Sequence, residues 1–203
     1  MKYHFITGRL MVDYFLPKRG CSTFVMARVT PPHHLIVTAL ATYQKGILEA
    51  FTKTSKQCGC NILESKLTSM GEECSLLFHF TGTWHTVAKL EAALPVLAQQ
   101  FQAQLHTKRT LPRPTLSALP YHIQVIAQDR PGVLNDLVSF FTPQHISIEK
   151  MECETYRAKN DTPMTAISFL VNISPKQHLA TLRDQFILYC EDRNFDAMIE
   201  PSK

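Results

Sequence analysis

The stretch Tyr121-His122-Ile123-Gln124-Val125-Ile126-Ala127-Gln128-Asp129-Arg130-Pro131-Gly132-Val133-Leu134 changes its hydrophobic period halfway. Tyr121, Ile123, Val125 and Ala127 alternate with His122, Gln124 and Gln128, which predicts a strand with one buried face. Pro131-Gly132 ends that strand. Val133, Leu134, Leu137, Val138 and Phe141 then follow at helical spacing until Pro143 stops the helix. Downstream, residues 146–156 and 164–173 read as two strands around the polar loop Arg157-Ala158-Lys159-Asn160-Asp161. Ser174-Pro175-Lys176-Gln177 predicts a helix start, with a Ser cap, Pro in the first turn and Gln three residues after the cap. Leu179, Leu182, Phe186, Tyr189 and Cys190 supply that helix with an apolar stripe. Phe195 to Ile199 reads as a last short strand.

The same order occurs earlier in the chain. With Gly46 placed over Gly132, an offset of 86, Ile47-Leu48 falls on Val133-Leu134, Phe51 on Leu137, Cys60 on Ile146 and Ile62 on Ile148. Leu76-Leu77-Phe78-His79-Phe80 matches Ile167-Ser168-Phe169-Leu170-Val171 at an offset of 91, and the five extra residues fall in the polar loop at 157–161. In this first copy, residues 35–41, 61–68, 74–80 and 104–106 read as strands. Residues 47 to about 57 and 87–101 read as helices, with Pro95 predicting a kink or a late start in the second. Two copies of one unit of roughly 75–85 residues are the simplest reading. The order β-α-β-β-α-β, twice, defines an α+β chain of two tandem ferredoxin-like units, each an antiparallel sheet with helices on one face. The domain boundaries read as an N-terminal extension over 1–33, a first unit over 34–106, a Pro-rich linker over 107–120 and a second unit over 121–203.

Charge narrows the function. The chain has 203 residues and a formal charge of +4. Residues 1–33 carry Lys2, Arg9, Lys18, Arg19 and Arg28 against Asp13, which accounts for the whole excess. The remaining 170 residues hold sixteen basic and sixteen acidic groups, so the body is neutral and no broad phosphate-binding face is implied. Direct DNA binding is therefore not expected. No apolar run of about 18 residues is present, so no membrane-spanning helix is expected. Arg9 and Asp13 interrupt any secretory h-region, which points to a cytoplasmic chain. Met26 reads as the natural start, with residues 1–25 contributed by an over-extended reading frame. The six cysteines then read as reduced thiols acting as small apolar groups.

Catalytic signatures are not apparent. The chain lacks a Gly-x-Ser-x-Gly elbow, a phosphate-cradling glycine loop and a His-Glu-x-x-His pair, and no cofactor or metal is implied. Cys58-Gly59-Cys60 lacks the two-residue spacing common at zinc sites. The turn Asp129-Arg130-Pro131-Gly132 is the informative feature. Gly132 lets the backbone approach closely, and the first helical N–H groups after it are donors suited to a small carboxylate.

That turn, inside a β-α-β-β-α-β unit, resembles the ACT domain, an amino-acid-sensing regulatory module. In the first copy Gly59-Cys60-Asn61-Ile62, Ser65-Lys66, Leu76-Leu77, Gly82, Leu94-Pro95, Gln99-Gln100 and Lys108-Arg109-Thr110 resemble the bacterial family of glycine-cleavage repressors. The resemblance covers about residues 34–203. It implies a non-enzymatic regulator that engages a DNA-binding activator protein, with a small amino acid such as glycine as the effector. It places the effector near Tyr43-Gln44-Lys45-Gly46 with Asn61 in the first copy. In the second copy it points to Asp129, Arg130, Pro131, Gly132, Val133 and Leu134 with Ser147.

The two copies depart from the pattern differently. The first has Tyr43-Gln44-Lys45 where the pattern has Asp-Arg-Pro, and the second has Ser147 where the first has Asn61. Asn can donate to a carboxylate and accept from an ammonium, whereas Ser is shorter. Either one site draws on both copies or effector binding has decayed. Sheet edges left free allow pairing within the chain or a homodimer. Rival readings are a free-standing regulatory subunit of an amino-acid enzyme and an RNA-binding module, the latter lacking an Arg/Lys-Gly-aromatic signature on its strands.

Overall fold

The computed structural model describes residues 32–112 and 119–202, together with the backbone of a short hairpin, β1 (Phe5–Ile6) and β2 (Arg9–Leu10). Met26 and Cys21 lie outside the described residues. The chain divides into two compact units, Met1–Arg113 and Pro114–Lys203.

Unit 1 contains β3 (His33–Thr42), α1 (Ile47–Cys58), β4 (Asn61–Met70), β5 (Glu73–Gly82), α2 (Trp84–Gln100) and β6 (Gln104–Thr110). Its sheet has the order β4-β5-β3-β6, antiparallel throughout. Unit 2 contains β7 (Leu119–Gln128), α3 (Val133–Phe141), β8 (Ser147–Arg157), β9 (Pro163–Ile173), α4 (Leu179–Glu191) and β10 (Asp196–Pro201), in the order β10-β7-β9-β8. These are two ferredoxin-like units in tandem.

Alternation on the strands decides which face is covered. Leu35, Val37, Ala39 and Ala41 of β3 and Leu76, Phe78 and Phe80 of β5 are buried against Ile47 and Phe51 of α1 and Val87, Leu90 and Leu94 of α2. Phe78 stacks on Phe51 and Phe80 at centroid distances of 5.6 and 5.2 Å. Truncating any of these rings to Ala would cost ~3–5 kcal/mol. Unit 2 repeats the arrangement with Phe141 against Phe169 and Phe186 at 5.3 and 5.5 Å. The buried cysteines Cys58, Cys60, Cys74 and Cys190 fill gaps in these cores as free thiols.

The register confirms the repeat. Leu35 faces Phe80 and Val37 faces Phe78, while the equivalents Tyr121 and Ile123 face Val171 and Phe169. The pairing of β4 with β5 slips between Ile62 and Glu64, and that of β8 with β9 slips at the same place, between Ile148 and Lys150. The five-residue insertion forms the β8–β9 loop, where Ala158 N–H donates to Thr162 O at 2.9 Å and Arg157 pairs with Asp161 at 3.1 Å.

Three local expectations are corrected. The helix expected from Ser174 begins at Leu179, after a separate turn in which Gln177 N–H donates to Ser174 O at 2.9 Å. Pro95 does not delay α2. Thr83 caps it, accepting from Thr86 N–H at 3.2 Å, and the helix runs through the exposed proline. The last strand of unit 1 runs on to Thr110 rather than ending at His106, because residues 107–110 continue the ladder with β3 up to Thr110 opposite His34. The residues between the last strand of unit 1 and the first of unit 2 are therefore 111–118, shorter than the expected linker at 107–120.

Candidate functional site

The two strand-to-helix turns have the same geometry. Gly46 has φ 90° and ψ −9°, and Gly132 has φ 98° and ψ −10°. Ile47 N–H reaches Gln44 O at 3.3 Å, and Val133 N–H reaches Arg130 O at 3.4 Å. A positive φ at the third position with proline favoured at the second is the signature of a type II turn. Lys45 takes the place of Pro131 without changing the fold of the turn. The strand exits are anchored alike: Tyr43 N–H donates to Glu72 O at 3.1 Å and Asp129 N–H to Pro163 O at 2.9 Å.

No side chain caps α1 or α3. The first bonds within the helices run from Ala50 N–H to Gly46 O at 2.8 Å and from Asp136 N–H to Gly132 O at 2.9 Å. The amides before these, at Leu48 and Glu49 and at Leu134 and Asn135, belong to the unpaired first turn of each helix. Glu49 places a carboxylate in the first turn of α1, and Asp136 places one in the first turn of α3. Beside α3, the half-exposed Arg130 is held by Asp136 at 3.0 Å and lies 5.6 Å from the Phe195 ring centre. Tyr189 Oη, which donates to Asp136 O at 2.8 Å, fixes the same helix turn from α4. The second turn differs from the first in having this arginine beside it, paired with the carboxylate of its own helix.

Tyr43, Gln44, Lys45, Gly46, Asp129, Arg130, Pro131 and Gly132 are all exposed, Leu134 is half-buried, and Val133 is buried in the core. Asn61 and Ser147 are also exposed, but neither lies near the turn of its own unit. Asn61 faces Thr81, at the end of the sheet where His33 faces Gly82. The turn follows Thr42, which faces Glu73 at the other end. Eight residues of β5 separate the two ends, about 27 Å at ~3.4 Å per residue. Ser147 opposite Asn172 and Gln128 opposite Met164 repeat this separation in unit 2. No single unit brings both halves onto one ligand.

Two features were not legible in the sequence. A cleft of about 240 Å³ in unit 1 is lined by Thr42, Gln44, Glu73, Phe101, Gln102 and Gln104, from separate segments joined only by folding. His34 and His79 meet across β3 and β5, Nδ1 to Nε2 at 3.0 Å. The sequence showed only that His33 and His34 are adjacent. Among the described residues, no three His, Cys, Asp or Glu side chains are gathered to hold a metal ion.

Two antiparallel β-α-β-β-α-β units, each turning from its first strand into its first helix on a left-handed glycine, are a pair of ACT domains. ACT-domain models match residues 33–108 and 116–186, and the chain belongs to that family of regulatory domains. Its sequence is similar to the glycine cleavage system transcriptional repressor of Escherichia coli (strain K12), 27% identical over 170 residues. The match spans 82% of this chain and 89% of that protein. The repressor of Shigella flexneri matches to the same extent. Its fold is similar to that of a crystal structure carrying the same repressor's name, with a TM-score of 0.66 and 24% identity over 86% of this chain and 99% of that one. A protein of unknown function from Galdieria sulphuraria also shares the fold, with a TM-score of 0.69 and 17% identity over 85% of this chain and 99% of that one. The class is regulatory. No helix among the described residues is long and apolar enough to cross a membrane.

Proposed function

We propose that this protein is a cytoplasmic, amino-acid-responsive repressor that acts on glycine cleavage genes by engaging a DNA-binding activator protein, with glycine as the effector that relieves repression. The observation that carries the reading is the similarity along 82% of the chain, through both ACT domains, to a protein named as that repressor. The neutral charge of residues 34–203 supports contact with a protein rather than with a duplex. The uncapped start of α3 offers a carboxylate unpaired amide donors, with the Arg130–Asp136 pair beside it. The edge strands β4 and β8 expose backbone groups suited to pairing with a second copy in a homodimer.

Thermal unfolding of the full chain with each common amino acid at millimolar concentration tests the effector. Ligand at 100 times its Kd adds about 2.7 kcal/mol, a rise of several degrees at ~2–4 °C per kcal/mol. A rise with glycine supports the reading, and a flat response to the whole panel removes amino-acid sensing from it. Affinity capture should then recover a DNA-binding protein, released by glycine. Capture of an amino-acid biosynthetic enzyme instead would favour a regulatory subunit.

A further inference from the structure

We propose that Asn61, Thr81, His34 and His79 form a site on unit 1 for the ammonium–carboxylate head of a small amino acid. The inference rests on the effector reading above and places a complete head-group site within the first unit.

The four residues come together through strand register. Asn61 on β4 faces Thr81 on β5, Thr81 faces His34 on β3, and His79 lies two residues before Thr81 on the same side of β5. This side is opposite the helices, which pack on Leu35, Val37, Phe78 and Phe80. Yet His34 is only 7% exposed. The Thr81 hydroxyl is buried without a hydrogen-bond partner, the one such side-chain atom among the described residues. A hydroxyl desolvated and left unpaired costs free energy, and native folds seldom keep one without a use.

The internal repeat supplies the control. At the same register positions unit 2 has Ser147 facing Asn172, Asn172 facing Pro120, and Leu170 in place of His79. The fold therefore forms with Leu and Pro where unit 1 has two histidines. The polar cluster is a property of unit 1 and not a requirement of the architecture.

Its chemistry suits a zwitterion. His34 Nδ1 and His79 Nε2 are 3.0 Å apart, with ring centroids 5.1 Å apart and planes tilted by 48°. In the neutral pair one N–H lies between the rings, donated by whichever ring carries it there. The ring that accepts then bears its own proton on its outer nitrogen, and the ring that donates has a bare outer nitrogen. Either tautomer presents one donor and one acceptor. The carboxylate takes hydrogen bonds from the Thr81 hydroxyl, the Asn61 amide and the outer ring N–H. The ammonium donates to Asn61 Oδ1 and the bare ring nitrogen. Two imidazoles without a third metal-binding side chain among the described residues fit an organic ligand better than a metal ion.

The test is glycine binding to the full chain by calorimetry, comparing wild type with Thr81→Val and with His79→Leu, the residue unit 2 uses. Thr81→Val replaces an unpaired hydroxyl with a methyl of the same shape and should not lower the melting temperature. Each variant should weaken glycine at least tenfold, and the ring resonances of His34 and His79 should shift when glycine is added to wild type. Wild-type affinity in both variants, with ring resonances unmoved, overturns the proposal and leaves the effector reading standing. A wild type that binds no amino acid overturns both. A melting shift with Zn²⁺ alone, lost in His79→Leu, would make the pair a metal site and overturn it too.

Discussion

Gly59 and His145 hold the same place in the two units, and both have left-handed backbone, φ 78° and φ 54°. Each closes the first helix of its unit in the same way. Gly59 N–H donates to Lys56 O and Cys60 N–H to Ser55 O, while His145 N–H donates to Thr142 O and Ile146 N–H to Phe141 O. Unit 1 uses the residue that adopts this conformation freely, and unit 2 uses one that does not. His145→Gly should therefore stabilise unit 2 by ~1 kcal/mol. The check is a raised denaturant midpoint with an unchanged slope.

The turns before α1 and α3 support a similar exchange. Pro131 sits at the second position of its turn and Lys45 at the same position of the other, each followed by a glycine of closely similar torsions. Lys45→Pro should stabilise unit 1 by ~0.4–1 kcal/mol, acting mainly by restricting the unfolded chain. Calorimetric melting would show it, and a lower Tm would mean that Lys45 does not share the torsion of Pro131.

The repeat made most of the fold legible, because alternation on 121–127 and helical spacing on 133–141 are local signals that packing reinforces. The errors arose where tertiary contacts displaced a local motif. Ser174 does cap a turn, with Lys176 N–H 3.4 Å from its Oγ. The Gln177 amide, which a capping box would direct back to the helix start, instead donates to Gln144 O at 2.8 Å. The helix then begins at Leu179, followed by the buried Leu182, Phe186 and Cys190. The candidate site was legible only in halves. The Asp129–Gly132 turn has a sequence signature, whereas the placement of Asn61 at the far end of the sheet follows from strand direction. The His34–His79 meeting spans 45 residues and depends on register alone.

Gly132 separates backbone from side-chain effects. A Cβ added there meets nothing within 4 Å, so the cost of a substitution comes from its φ of 98°. Gly132→Val should lose ~1–2 kcal/mol and abolish glycine binding at that turn, since a branched residue cannot keep the conformation. Gly132→Asn, which tolerates left-handed backbone, should retain more of both. Equal affinity in Val and Asn variants, by titration calorimetry, would remove this turn from the site.

Cysteine reactivity should sort by burial. Cys153 is exposed, whereas Cys190 is buried among core residues, and burial pushes its thiol up to about 12 against a smaller opposing pull from Arg193. Its folded value lies above its unfolded one, so the protonated thiol favours the fold fully below pH ~9, and that contribution fades as pH rises toward the folded value. Iodoacetamide at pH 8 should label Cys153 and spare Cys190 in the native protein, with both labelled in denaturant. Mass spectrometry of the peptides reads the outcome. Native labelling of Cys190 at the rate of Cys153 would show that α4 opens readily.

The chain's single tryptophan gives an optical view of one ion pair. Arg109 on β6 grips Glu91 on α2 with two hydrogen bonds, 2.9 and 2.6 Å, and its guanidinium lies 5.8 Å from the Trp84 ring centre. Those hydrogen bonds hold the Glu91 carboxyl below its ordinary value of 4.5, with burial opposing and charge attraction assisting. A depressed folded value means the pair favours the fold above the unfolded carboxyl's range and loses that contribution as pH falls through the folded value. Both partners are partly exposed, so solvent screens the pair and its contribution to stability is small. Acid titration of Trp84 fluorescence should show a step below pH 4.5, where Glu91 takes up its proton and releases the guanidinium. Glu91→Gln should remove that step while changing the melting temperature little. A step that persists unchanged in Glu91→Gln would assign it to other carboxylates and leave the guanidinium over Trp84 independent of Glu91.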